Sequence, residues 1–178
     1  FENMVLEPQR KESQRLTVPV SGTEAKQAKF GRAVAVDGDF MVVGARYNAY
    51  LYQKDVLGSW QFVKKLLSSD HVLFRIFDFG SSVAIAGDTV VVGGLFFDIN
   101  SRLHPAVYIF GRNQGGVDNW GEVKKLVVTS DQNQQPWSLG IGEGGNVIVV
   151  GSPFSYISVT NSGAVYIFYR NQGGSNAW

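Results

Sequence analysis

The sequence predicts an all-β fold, a β-propeller segment of about three four-stranded antiparallel blades. The first observation is a repeat that occurs three times, with closing tryptophans Trp60, Trp120 and Trp178 that are 60 and then 58 residues apart. The second is the placing of glycines between short apolar runs, and the third is a composition with 21 Gly and 13% aromatic residues in 178 positions. A fixed period of this length indicates an array of one supersecondary unit, and Val, Ile and aromatic runs favour strands.

Two strands open each repeat. The opening phrase reads FGRAVAVDGDFMVVGA from Phe30, FGSSVAIAGDTVVVGG from Phe79 and, in a degenerate copy, WSLGIGEGGNVIVVGS from Trp137. Asp37-Gly38 in the first copy is typical of a two-residue type I′ turn, which requires positive φ at both positions. The phrase therefore predicts two antiparallel strands joined by a tight turn.

Two further strands close each repeat. AYLYQKDVLGSW starts at Ala49, AVYIFGRNQGGVDNW at Ala106 and AVYIFYRNQGGSNAW at Ala164. Each phrase predicts a third strand, a glycine-containing turn and a Trp, after which the first two repeats continue into a fourth strand containing KKL. Paired lysines on an outer strand oppose edge-to-edge aggregation. Four short antiparallel strands form one propeller blade, and the blade cores are predicted near 30–67, 79–128 and 137–178.

The two ends of the chain are expected to be incomplete. Residues 1–13 are predicted to be a tail, and residues 14–178 to be the repeats. QRLTVPV from Gln14 resembles a fourth strand, and the chain stops at Trp178, where another fourth strand would begin. Since propellers have about four to eight blades, we expect a piece of a longer propeller in preference to a dimer of half-rings. In a closed ring, the first strand could complete the last blade.

Composition excludes several classes of function. The net charge of +1, with no strong basic cluster, argues against nucleic-acid binding. Cysteine is absent, which excludes disulfides and thiolate metal sites. No apolar run reaches the roughly 18 residues of a membrane span.

The repeated phrases resemble the FG-GAP repeat family, which forms the blades of the integrin alpha-subunit head and of many bacterial and archaeal surface proteins. The resemblance covers roughly residues 14–178. A kelch repeat is the alternative, but kelch repeats do not require Phe-Gly and Gly-Asp upstream of the glycine pair. The matching residues are Phe30-Gly31, Val34-Ala35, Gly38-Asp39 and Val42 to Ala45, and then Phe79-Gly80, Val83-Ala84, Gly87-Asp88 and Val91 to Gly94.

Many members of this family bind calcium in an acidic loop between the first two strands. In this sequence the connection is short, and it supplies one or two carboxylates where a calcium ion needs six to eight oxygens. We therefore expect no calcium and no other cofactor. Asp39 and Asp88 are interpreted as turn residues.

Several motifs have a structural interpretation beside a functional one. Gly140, Gly142 and Gly145 spell G-x-G-x-x-G, but a strand follows them where a dinucleotide site needs a helix. Asp70-His71 could suggest a catalytic pair, but we interpret the histidine as a residue of a surface loop. With no further catalytic cluster, we expect no enzymatic activity. The repeated residues Trp60, Trp120 and Trp178 could stack on sugars, but their recurrence favours packing.

The loops after each Val-Val-Gly differ in length and character, and such loops commonly determine specificity in a propeller. The resemblance to the integrin head implies that they share a ligand-binding face. Aromatic and Arg side chains are typical of protein-recognition surfaces. Alternatively, Phe96, Phe97 and Phe154 fold back over the ends of the blades. The candidate ligand-binding residues are Tyr47, Phe96, Phe97, Arg102, His104, Phe154 and Tyr156.

The resemblance implies a secreted or surface-displayed propeller that serves adhesion, protein interaction or assembly without catalysis. Its expected partner is a protein or cell-surface molecule, with self-association or completion by further blades as another possibility. The alternatives are a carbohydrate-binding propeller and a kelch-like intracellular interaction propeller.

Overall fold

Three antiparallel sheets follow one another along the chain in a computed structural model that describes residues 13–19, 21, 26, 28–73, 76–128, 138–153, 163–174 and 178. The first sheet contains β1 (Ala33–Asp37), β2 (Phe40–Ala45), β3 (Asn48–Lys54) and β4 (Trp60–Leu66). The second contains β5 (Ile76–Ala86), β6 (Thr89–Phe97), β7 (Leu103–Gly111) and β8 (Gly121–Val127). The third contains β9 (Ser138–Gly142), β10 (Val147–Ser152) and β11 (Ala164–Tyr169). Spatial order follows chain order in every sheet, which confirms the predicted all-β fold of consecutive antiparallel blades.

The tight turn between β1 and β2 lies one residue later than predicted. Asp37 pairs with Phe40, so the turn residues are Gly38 and Asp39. Gly38 has φ +54°, whereas Asp39 does not have positive φ. The type I′ prediction for Asp37-Gly38 is therefore wrong, because that turn needs positive φ at both central residues. Asp39 is a turn residue, as predicted.

The segment of residues 14–18 is not a strand of any sheet, in contrast to the prediction from QRLTVPV. It lies instead against one face of the first sheet. Leu16 and Val18 pack on a cluster that contains Val43 and Tyr50. The side-chain amide of Gln14 donates to the carbonyl oxygen of Trp60 at 3.0 Å and accepts from its backbone N–H at 2.8 Å.

Two apolar cores join the three sheets in sequence. One core lies between the first and second sheets, and a short 3₁₀ helix, Ser69–Leu73, connects these sheets along the chain. The other core lies between the second and third sheets. Burial of apolar side chains in these cores contributes about 25 cal/mol of stabilisation per Å² of apolar surface, so the contacts between sheets hold the array together. The first core includes Val42, Leu51, Leu66, Phe79, Val83, Ile85, Tyr108 and Trp120, and the second includes Ala84, Val107, Ile109, Leu126, Ile148 and Val150.

An ion pair reinforces the boundary between the first and second sheets. The guanidinium of Arg32, next to β1, contacts the carboxylate of Asp78 in β5 through both terminal nitrogens, with Nη2 to Oδ2 at 2.8 Å. The Asp78 side chain is largely buried. A bidentate pair of this kind fixes orientation as well as distance.

Candidate interaction surface

The hairpin turns between the second and third strands of the sheets lie at one end of the array, called here the loop end. In the first sheet this turn is Arg46-Tyr47, because Ala45 pairs with Asn48. In the second sheet it is residues 98–102, between Phe97 and its partner Leu103. Tyr47 of the first turn and Phe97, which precedes the second turn, both contact the ring of Phe77, so the two turns lie at the same end.

Tyr47 has an unusual backbone conformation for an aromatic residue. Its φ is 72°, in the left-handed region, where a non-glycine residue costs about 1–2 kcal/mol. The Arg46 guanidinium carbon lies 4.9 Å from the centre of the Tyr47 ring, within cation–π range. The two-residue turn thus places a half-buried aromatic ring at the loop end, although the left-handed φ of Tyr47 is energetically unfavourable.

Three aromatic rings form a row that connects the first sheet to the second. The ring centres of Tyr47 and Phe77 are 6.1 Å apart, and those of Phe77 and Phe97 are 6.4 Å apart. Both contacts are edge-to-face, a geometry that contributes about 0.5–1.5 kcal/mol per pair. We call Tyr47, Phe77 and Phe97 the aromatic row.

Phe96 and His104 form a second cluster on neighbouring strands. They are direct cross-strand partners in β6 and β7, with ring centres 5.5 Å apart. The ammonium of Lys125 lies 3.8 Å from the centre of the Phe96 ring. Phe96 also packs on the core between the first two sheets. The ring is therefore folded back, as the alternative interpretation of this residue expects.

Asp98 orders the tip of the β6–β7 hairpin. Its Oδ1 accepts backbone N–H bonds from Asn100 and Arg102, both at 2.8 Å, and its Oδ2 lies 3.0 Å from His104 Nε2. The backbone N–H of Arg102, together with the His104 contact, lowers the pKa of Asp98 below its usual value. The ordered tip presents Ile99, which is 82% exposed, beside the exposed Arg102.

Residues 21–56 and residues 60–110 each match the family model described as FG-GAP repeat. The chain belongs to the FG-GAP repeat family. No curated protein and no solved structure matches it significantly. Both matched FG-GAP segments contribute to the loop end, since the first contains Arg46-Tyr47 and the second contains residues 98–102.

The structure of this FG-GAP chain separates the candidate residues into groups. Tyr47 and Phe97 belong to the aromatic row, Phe96 and His104 to the second cluster, and Arg102 to the hairpin tip. Phe154 and Tyr156 lie outside the described residues.

Two residues at the loop end, Phe77 and Ile99, were not predicted from the sequence. Phe77 precedes the second Phe-Gly phrase by two residues, where the first repeat has the small Ala28. This difference between the copies was the available signal. Ile99 is an apolar residue between Asp98 and Asn100 in an otherwise polar turn, which is a weaker signal for exposure.

The remaining motifs contribute to the structure of the blades. Gly140 and Gly142 lie in β9, and the strand β10 follows them where a nucleotide site needs a helix. Asp70 accepts a 2.8 Å hydrogen bond from the Tyr108 hydroxyl and pairs with Lys125 at 3.0 Å, in a largely buried position. Trp120 is buried, and its ring centre lies 5.2 Å from that of Phe40.

The described residues contain no group of three His, Cys, Asp or Glu side chains arranged to hold a metal ion. In the same part of the chain, no helix has the length and apolar character needed to cross a bilayer. The turn carboxylates instead form ion pairs on the surface, such as Asp88 with Arg112 at 3.5 Å.

Proposed function

We propose that this FG-GAP chain is a non-enzymatic, secreted or surface-displayed propeller module whose loop end binds a protein or cell-surface partner. The observation that carries the proposal is the combination of the aromatic row with an ordered hairpin tip that exposes Ile99 and Arg102. Aromatic residues and Arg are enriched among the side chains that dominate binding energy.

The loop end has the rigidity that such a partner requires. Contacts with Arg46 and Phe77 hold the Tyr47 ring, and the Asp98 side chain fixes the backbone of the neighbouring tip. Side chains and loops that are already ordered lose little conformational entropy on binding. The strained φ of Tyr47 supports the same interpretation, since backbone strain often marks functional positions.

The polar groups at the loop end support a binding role in preference to catalysis. Asp98 and His104 contact each other, and the Asp98 carboxylate is further occupied by two backbone N–H groups. An enzyme would need acid, base or nucleophilic groups converging on a site for the reacting atoms. We expect neither catalysis nor a required cofactor.

The test is saturable binding of the fluorescently labelled chain to intact cells. A loop-end variant, Ile99→Ser with Arg102→Ala, should reduce binding at least tenfold. The matched control, Val56→Ser with Leu57→Ser, removes exposed apolar residues from the β3–β4 turn at the opposite end and should bind normally. Unaltered binding by the loop-end variant, or equal loss in both variants, would contradict the proposal.

Two treatments identify the class of partner. Protease treatment of the cells should abolish binding if the partner is a protein, whereas signals on a glycan array would indicate the carbohydrate-binding alternative. Binding should persist after chelation with EDTA, because the turns between the first two strands lack the carboxylates of a calcium loop.

A further inference from the structure

We propose that a pocket between the second and third sheets binds a carboxylate group that another molecule supplies. The pocket has a volume of about 360 Å³, and two arginines, Arg112 and Arg170, line it. It lies beside the β5–β6 and β7–β8 turns, at the end of the sheets opposite the loop end. We call it the arginine pocket. The proposal goes beyond the function of the loop end.

A basic residue occupies the same backbone position in all three sheets. In each sheet its backbone N–H donates to the carbonyl oxygen of the residue that follows the turn glycine of the first hairpin. The pairs are Lys54 with Asp39 at 2.8 Å, Arg112 with Asp88 at 3.0 Å and Arg170 with Asn146 at 2.9 Å. The three basic side chains therefore start from equivalent points of their blades.

In the first two sheets this basic side chain pairs with carboxylates of its own blade. Lys54 Nζ lies 3.9 Å from Asp39 Oδ1. Arg112 has two such partners, since its Nη1 lies 3.5 Å from Asp88 Oδ1 and its Nε donates to Asp118 Oδ1 at 2.7 Å. The positive charge is thus compensated inside each of these blades.

The third repeat keeps the arginine and has an amide in place of each carboxylate. Residues 112–120 read RNQGGVDNW and residues 170–178 read RNQGGSNAW, so Asn176 replaces the second carboxylate of the turn. Asn176 itself lies outside the described residues. Asn146 replaces the first carboxylate, and its amide donates to the carbonyl oxygen of Glu143 at 2.8 Å. Neither substitution leaves a negative charge for the arginine.

The Arg170 guanidinium consequently forms no ion pair with any residue that the structure describes. Its Nε, the atom that bonds to a carboxylate in Arg112, is buried and has no acceptor among these residues. The guanidinium carbon lies 5.5 Å from the centre of the Trp178 ring, which holds the group in place. Because a buried charged donor without an acceptor is unfavourable, this guanidinium is suited to an acceptor from outside the chain.

The other polar groups of the pocket favour an anion. Asn113 and Gln114 line it, and Asn113 Oδ1 accepts the backbone N–H of Asp118 at 3.0 Å, which leaves the amide NH₂ to donate. The Asp88 carboxylate also lines the pocket and opposes an anion, but Arg112 compensates its charge. Two guanidinium groups against one carboxylate give an excess of positive charge. A planar guanidinium matches the two oxygens of a carboxylate.

A difference between the first and second sheets makes space for the ligand. The guanidinium carbon of Arg112 lies 4.9 Å from the centre of the Phe40 ring, which belongs to the preceding sheet. In the second sheet the smaller Thr89 takes the position of Phe40, so Arg170 has no cover of equal size from its own preceding sheet. The resulting volume lies within the range of about 300–1,000 Å³ that is typical of ligand pockets.

NMR of the arginine Nε–H groups tests the proposal directly. The Arg170 signal is identified by its loss in Arg170→Lys. An acetylated tetra-aspartate peptide should shift this signal in a saturable way, whereas a tetra-asparagine peptide should not. Citrate in place of the peptide distinguishes the source of the carboxylate. Tighter binding of the peptide assigns an acidic protein segment, and tighter binding of citrate assigns a small free carboxylate.

The decisive variant is Asn146→Asp, which restores the carboxylate that the first two repeats have at this position. The internal carboxylate should compete at high effective concentration and weaken peptide binding by about tenfold or more. Asn146→Ser is the matched control, since it removes the same amide without adding charge, and it should bind as the native chain does. Lys54→Gln, which removes the equivalent cation of the first sheet, should also leave binding unchanged.

Three results would overturn the proposal. The first is an Arg170 signal that neither the peptide nor citrate shifts at about 10 mM, a concentration that detects even millimolar dissociation constants. The second is equal weakening by Asn146→Asp and Asn146→Ser, which would show that the amide and not the charge is responsible. The third is a shift by inorganic phosphate at lower concentrations than by either carboxylate. The loop-end variant should bind the peptide normally, which separates this site from the function proposed above.

Discussion

Gly44 of the first sheet and Gly80 of the second sheet meet backbone to backbone. A Cβ on Gly44 would collide with the carbonyl oxygen of Gly80, and a Cβ on Gly80 would lie 2.5 Å from the carbonyl oxygen of Ala45. Gly44 belongs to a Val-Val-Gly phrase and Gly80 to the following Phe-Gly phrase. The two repeated motifs are therefore two sides of one contact between blades.

The close contact predicts that Gly44→Ala destabilises the protein. Gly44 does not have positive φ, so the effect isolates the steric clash from backbone strain. Overpacking against backbone atoms costs about 1–3 kcal/mol, and urea denaturation should show a decrease in the free energy of unfolding of that size.

The matched control is Gly142→Ala. Gly142 lies in β9, also lacks positive φ, and an added Cβ would meet no atom within 4 Å. Its free energy of unfolding should change by less than about 0.5 kcal/mol. Equal effects of the two substitutions would contradict the steric explanation.

The repeats predicted the strands well because each blade is a local meander. The closing phrase of the first repeat, from Ala49, predicted a third strand and then a fourth strand containing KKL, and the structure has these strands at Asn48–Lys54 and Trp60–Leu66. The turn register was one residue off, because the preference of Gly for positive φ does not determine whether it takes the first or second turn position.

The placement of residues 14–18 could not be predicted from local patterns. Their sequence has the features of an outer strand, but a strand requires a neighbour to pair with, and the first sheet already has β4. The side chains of Leu16 and Val18 pack on an apolar face of the first sheet, as side chains of an outer strand pack on a neighbouring sheet. The packing of the segment thus follows its sequence, whereas its hydrogen bonding depends on what lies beside it.

Part of the arrangement at the loop end follows from the sequence. The loops after the first two Val-Val-Gly phrases join the second and third strands, and Tyr47 and Phe97, which were predicted as ligand-binding residues, lie in the aromatic row. Phe77 was missed because it joins the row from another strand, through a contact between sheets that no sequence spacing reveals. Phe96 was predicted as a ligand-binding residue although it packs on the core, because the alternation of side chains along a strand does not determine which of two adjacent aromatic residues faces the core.

The repeated tryptophans should differ in their contributions to stability. Trp120 is completely enclosed between the first two sheets, whereas Trp60 is half-buried with Lys54 over its ring at 4.9 Å. Trp120→Ala should cost about 3–5 kcal/mol, and Trp60→Ala should cost less than half as much. Thermal and urea unfolding of both variants would measure the decrease in the free energy of unfolding. Equal decreases would show that burial does not determine how much each tryptophan contributes to stability.

A buried hydrogen bond predicts a specific effect of Tyr108→Phe. The Tyr108 hydroxyl donates to Asp70 at 2.8 Å, and burial, together with this bond, raises the pKa of Tyr108 above its usual value. Removal of a bond to a charged acceptor costs about 1.5–3 kcal/mol. Tyr52→Phe is the control, since its hydroxyl lies 3.5 Å from the carbonyl oxygen of Thr17 and should contribute less than about 0.5 kcal/mol. Chemical denaturation would measure the free energy of unfolding of both variants. A larger decrease for Tyr52→Phe than for Tyr108→Phe would contradict this assignment.

The Asp98 carboxylate should make part of the protein's stability dependent on pH. Its pKa is lowered in the folded chain, chiefly by the Arg102 N–H and further by His104, so the ionised form favours folding. This contribution is present above the unfolded Asp pKa of about 3.9 and is lost as the pH falls through the lower folded value. Asp98→Asn should therefore lower the melting temperature at pH 7, and the difference from the native chain should shrink below about pH 4.

Ile99→Ser is the control for this titration, because it changes the same hairpin tip without altering an ionisable group. Its melting temperature should differ from that of the native chain by the same small amount at every pH. A difference between Asp98→Asn and the native chain that stays constant from pH 7 to pH 3 would show that the hydrogen bonds of the tip are made equally well by a neutral acceptor. The order of the tip would then come from its backbone geometry alone, and the charge on Asp98 would have no part in holding Ile99 and Arg102 at the loop end.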